Sequence, residues 1–77
     1  WYAQVLAPKE LSEAQALSDK LKDSGFPVVI EHAEVRGQQY YRVLVGGEES
    51  RQQAEILIKQ LQREKYLKGD PFLRMIR

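Results

Sequence analysis

An α+β fold in the order β-α-β-β-α-β, with a four-stranded antiparallel sheet and both helices on one face of it, is what this sequence predicts. Three observations predict it. Two runs of alternating aromatic and β-branched character, WYAQVL and QYYRVLV, each stop at residues that break regular structure, and each is followed by an amphipathic helical stripe. The two halves match at a constant offset: Val5 and Val45, Ala14 and Ala54, Leu17 and Leu57, and Leu21 and Leu61 are all forty apart, as are the aromatics Trp1 and Tyr41. The chain has 77 residues, room for one domain whose thin core buries only about 60% of the unfolded surface. Two strand–helix–strand units in series then favour a sheet covered on one side and open on the other.

The first strand is read as Trp1 to Leu6, ended by Pro8. Ser12, with Gln15 three residues on, has capping-box spacing and predicts the start of the first helix. Ala14, Leu17, Ser18 and Leu21 form its inward stripe. Gly25 stands where a left-handed C-cap is wanted, and Pro27 cannot continue a helix. Phe26 to Val35 reads as the second strand. Gly37 marks a turn, so the half-repeats run about 1–36 and 37–77. The third strand is Gln39 to Val45, ended by Gly46 and Gly47. Ser50 and Gln53 repeat the cap thirty-eight residues after the first, which predicts a second helix starting about half a turn earlier than its counterpart. Ala54, Leu57, Ile58 and Leu61 are its stripe. Gly69, Asp70 and Pro71 break the chain before a fourth strand, Phe72 to Arg77.

Composition removes several classes of function. Hydrophobic residues are 43% and charged residues 30%, values of a globular domain and not of a disordered tail. A net charge of +1 gives no electrostatic case for nucleic acid. Cysteine is absent, which excludes disulfides, thiolate nucleophiles and zinc–cysteine sites. No apolar run approaches the roughly 20 residues that cross a bilayer, and no signal peptide is visible. A first residue of Trp1 rather than methionine predicts a fragment of a longer protein, with no membrane contact of its own and any anchor outside it.

Period two assigns the strand faces. Trp1, Ala3 and Val5 share one face of the first strand, and Tyr2, Gln4 and Leu6 the other. Tyr41, Val43 and Val45 share one face of the third, and Tyr40, Arg42 and Leu44 the other. The valine faces should meet the helices, leaving Tyr2, Gln4, Tyr40 and Arg42 on the open side. In the fourth strand both sets mix apolar and basic residues. If Leu73 and Met75 point inward, Phe72, Arg74 and Ile76 join the open face; the reverse assignment stays open.

The paired strands WYAQV and YRVLVG, each followed by an A-x-x-L-x-x-x-L helix, resemble the SPOR (sporulation-related repeat) domain of bacterial cell-envelope proteins. Ala14, Leu17, Leu21 and Gly25 carry the longer form of that motif. Ala54, Leu57 and Leu61 repeat it, with Lys65 where the glycine would be. The resemblance covers essentially the whole chain. It implies non-catalytic binding of peptidoglycan glycan strands, preferably those stripped of stem peptides, and targeting of a parent protein to the division septum in the periplasm or otherwise outside the cytoplasmic membrane. It places the glycan across the helix-free face, with Gln4 in the binding surface and the third strand, from Tyr40 through Tyr41 and Arg42 to Leu44, beside it. Two loops depart from the family: where it often has G-S-F or G-P-F, this chain has LAP (Leu6 to Pro8) and GGE (Gly46 to Glu48).

The chemistry follows from these side chains. Tyrosine offers flat apolar area with a polar tip. Glutamine donates and accepts, which suits hydroxyls and N-acetyl groups. Removing a stem peptide frees the lactyl carboxylate of N-acetylmuramic acid, which Arg42 could hold through two parallel N–H bonds. The expected glycan-binding set is therefore Tyr2, Gln4, Leu6, Tyr40, Tyr41, Arg42, Leu44 and Arg74, with no cofactor, no metal and a monomeric domain. His32 is the only histidine, and it lacks the partner a nucleophile–base pair needs. Glu48 and Glu49 precede a helix and read as partners of its dipole. Two rivals remain. RNA binding on the open sheet would use the same element order, with Tyr40 and Tyr41 on a comparable central strand, but QQYYRVLV lacks the third-strand pattern of the RNA-recognition motif and no nucleic acid is expected. A protein-interaction or structural domain of the same fold is the other.

Overall fold

A computed structural model describes residues 1–67 and 71–75. The elements are β1 (Tyr2–Leu6), α1 (Leu11–Asp23), β2 (Val28–Val35), β3 (Gln38–Gly46), α2 (Arg51–Leu61) and β4 (Phe72–Arg74). The strands form one four-stranded sheet in the order β2-β3-β1-β4, with every neighbouring pair antiparallel. Gly69, Asp70, Ile76 and Arg77, which the sequence reading assigns to a break and to the last strand, lie outside the described residues.

The helices cover one face. Ala3 and Val5 of β1, Val43 and Val45 of β3, Ala14 and Leu21 of α1, and Leu57 and Leu61 of α2 form the core. Val28, Ile30, Tyr41 and Phe26 pack against its edge. The core is therefore built from alternate strand residues and from the two helical stripes, as the periodicity requires.

Gly25 ends α1 with a backbone φ of +92°. The Phe26 N–H donates to the Leu21 carbonyl and the Gly25 N–H to the Lys22 carbonyl, the paired bonds of a Schellman cap. Arg36 and Gly37 join β2 to β3 with φ of 53° and 80°. Two successive positive values between paired strands are the turn whose twist suits a two-residue hairpin.

The start of α1 differs from expectation. Its N-cap is Glu10, which makes no side-chain cap, and Ser12 lies inside the first turn. Ser50 does cap α2: its Oγ accepts from the Gln53 N–H at 3.1 Å. Leu11 and Arg51 are forty apart, so the helices begin in step and the predicted half-turn difference is absent. A capping side chain contributes about 1 kcal/mol, whereas burying one leucine contributes about 1.5–3 kcal/mol. The buried stripe therefore sets helix phase, and the cap follows where it can. Ser50→Ala should lower stability by about 1 kcal/mol and Ser12→Ala by less than about 0.5 kcal/mol, read from urea unfolding of the two variants side by side.

The sheet has an approximate twofold axis. Gln4 and Leu44 are forty apart and sit directly opposite each other in the β1–β3 ladder. Exchanging β1 with β3 and β4 with β2 returns the same strand order. Under this exchange Tyr2 paired with Arg74 corresponds to Arg42 paired with Glu31. At one margin Trp1 and Glu48 exchange both backbone bonds. At the equivalent margin the Tyr41 N–H donates to the Pro8 carbonyl at 2.8 Å, and proline has no N–H to return.

Candidate functional site

The face without helices is assembled by strand register. Val29, Leu44, Gln4 and Phe72 form one row across all four strands. Glu31 lies opposite Arg42, Ala33 opposite Tyr40, and Tyr2 opposite Arg74. The fourth strand's facing is thus settled by its pairing with β1: Phe72 and Arg74 are on the open face, and Leu73, opposite Ala3, points to the core side.

Gln4 sits at the centre, only 7% exposed. Flanking side chains shield it, since no helix lies above. Its Oε1 accepts from Arg74 Nη1 at 3.4 Å. Leu44 beside it is buried, while Phe72, 52% exposed, offers its ring to solvent at the end of the row. Tyr2 lies against Gly47: a Cβ there would stand 3.6 Å from the tyrosine hydroxyl. A Cβ would make only ordinary contact there; it is the backbone φ of +101° that favours glycine at this position. Arg42 Nη1 donates to Glu31 Oε1 at 2.9 Å, with side chains 19% and 32% exposed.

Six of the eight residues expected at the site share this face: Tyr2, Gln4, Tyr40, Arg42, Leu44 and Arg74. Tyr41 and Leu6 do not. Tyr41 packs at the core margin on the helix side, where its ring stacks on His32 with centroids 4.9 Å apart. Leu6 is displaced by an irregularity in β1: Gln4 pairs with Leu44, but Leu6 pairs with Val43. One extra residue on β1 shifts the alternation, as a bulge does. Leu6 then shares the core-facing side of Val43 and lines a groove of about 500 Å³ with Leu17, Lys20, Tyr66 and Leu67. The face also carries residues outside the expected set, among them Phe72, Glu31, Val29 and Ala33. Phe72 was conditional on the fourth strand's facing. Glu31 and Val29 are given by the alternation of FPVVIEHAEV once β2 is in register with β3.

This surface offers an extended ligand alternating apolar and polar contacts: Phe72 and Tyr2 as ring surfaces, Gln4 and Tyr40 as neutral hydrogen-bonding groups, and Arg74 as a cation. Such a mixture suits a chain of sugar rings, each with a C–H face and a rim of polar groups. The paired tyrosines invoked for base stacking are divided between the two faces. His32 Nε2 is hydrogen-bonded to Gln39 Oε1 at 2.8 Å, far from Glu48 and Glu49 along the sheet. Among the described residues no helix is long and apolar enough to cross a membrane, and no three metal-ligating side chains cluster.

The family model described as the SPOR domain matches residues 1–74. No curated protein and no solved structure matches the chain.

Proposed function

Because the chain belongs to the SPOR domain family, a peptidoglycan-binding family of envelope-associated cell-division proteins, we propose that its helix-free face binds glycan strands stripped of stem peptides. Binding there directs the protein that carries it to the division septum. The family is one of binding domains, and the face acts by recognition alone. The observation that carries this reading is Gln4: a shielded glutamine at the centre of an uncovered sheet face, bonded to Arg74 and flanked by Tyr2 and Phe72. Its amide and the ring surfaces beside it match the N-acetyl groups and C–H faces of amino sugars. Tyr40, Arg42 and Leu44 extend the same surface along β3. A naked strand lies flat on the sheet, whereas a stem peptide on alternate sugars would hold it away.

Purified sacculi, untreated and digested with amidase, provide the test. Wild-type protein should be pulled down more strongly by digested sacculi, and binding should fall only gently from low to physiological salt, as expected of stacking and neutral hydrogen bonds and not of phosphate-dominated recognition. Absence of binding to both preparations would overturn the proposal.

A further inference from the structure

The arginine that sequence alone offers to a ligand's carboxylate already holds a carboxylate of the protein's own. Glu31 stands directly across the β2–β3 ladder from Arg42, 2.9 Å from its Nη1. Both side chains are less than one-third exposed, so the pair is less screened than one on an open surface. Among the described residues of this face, Glu31 is the one carboxylate, and Arg42 and Arg74 are the two cations. At the twofold-related place, Arg74 stands across from Tyr2 and donates to the neutral Gln4 amide at 3.4 Å. That long bond to a neutral acceptor leaves its charge uncompensated among the described residues.

We propose that Glu31 is a built-in anion that occupies Arg42 and so confines the ligand's carboxylate to Arg74. This rests on the glycan-binding reading above and adds the residue that sets its charge selectivity. Glu31 is a positioning residue: it acts through Arg42 and need not touch the sugar. With Arg42 neutralised, the β2 side of the face reads the uncharged part of the chain. The β4 side reads the muramic carboxylate, which a guanidinium holds through charge-assisted bonds.

Two oligosaccharides separate charge recognition from sugar recognition. One is a stem-free tetrasaccharide of alternating N-acetylglucosamine and N-acetylmuramic acid. The other is chitotetraose, which has no carboxylate. Glu31→Gln keeps the shape and an acceptor for Arg42 but removes the charge. It should tighten the muramic oligomer by roughly fivefold, the scale of one partly exposed ion pair, with a steeper salt dependence. Chitotetraose affinity should not change, and Glu31→Gln should bring no gain in an Arg42→Gln background. Weaker muramic binding in Glu31→Gln would overturn the proposal by making Glu31 a brace that presents Arg42 to the ligand. Unchanged binding would overturn it by making the pair structural only. If the wild type bound neither oligosaccharide nor sacculi, the glycan reading itself would fail and this inference with it, a pattern distinct from the other two.

Discussion

Gln4→Leu should leave the chain folded and at least as stable as the wild type, while lowering its binding to amidase-digested sacculi by at least about tenfold. Gln4 lies between Leu44 and Phe72 and is only 7% exposed. Shielding an amide from water is unfavourable unless its bonds are good, and its bond to Arg74 is long at 3.4 Å. Leucine is close in size, and the twofold-equivalent position already carries one, Leu44. Stability alone would therefore favour leucine at position 4, and on the proposed reading the amide serves contacts outside the fold. Urea midpoint and sacculus pulldown on one preparation decide the matter. A strongly destabilised variant would make Gln4 a structural residue, and wild-type binding by a stable variant would remove it from the site.

Leu21→Ala and Leu61→Ala should each lower stability by about 3 kcal/mol, and the double variant should not fold. These leucines are the same position in the two helices, and both are fully buried in the core. A domain of this size has only about 4–12 kcal/mol to lose. The exposed Ile56 on α2 is the control, and Ile56→Ala should change stability by less than about 0.5 kcal/mol. Circular dichroism through a urea titration reads all four. A folded double variant would show that the core repacks around the lost volume.

Much of this architecture could be read from spacing, because two buried helical stripes and two alternating strands leave few arrangements open. The same alternation put Tyr2, Gln4, Tyr40, Arg42 and Leu44 together on the open face. It failed at Leu6, because the irregularity after Gln4 adds one residue and leaves no mark on the pattern of apolar and polar residues. It left β4 undecided because Phe72, Leu73, Arg74 and Met75 carry no clear alternation; pairing with β1, about seventy residues away, settles which way they point. The cap at Ser12 misled for a related reason. Capping-box spacing is local, and the helix was placed by its buried stripe. The pairing of Glu31 with Arg42 leaves no mark in the sequence, because it depends on what lies across the ladder, and cross-strand partners are visible only once the register is known.

The approximate twofold axis has a further consequence. A glycan strand has a direction, with distinct reducing and non-reducing ends. The backbone around Gln4 and Leu44 presents nearly the same frame to a strand running either way. The side chains do not: Glu31 with Arg42 on one side corresponds to Arg74 with Tyr2 on the other. On the glycan-binding reading proposed above, a symmetric frame fitted with a neutralised ion pair at one end and an unpaired guanidinium at the other would tell the two polarities of the polymer apart. Binding on that reading would fix the direction of the domain along the strand as well as its position.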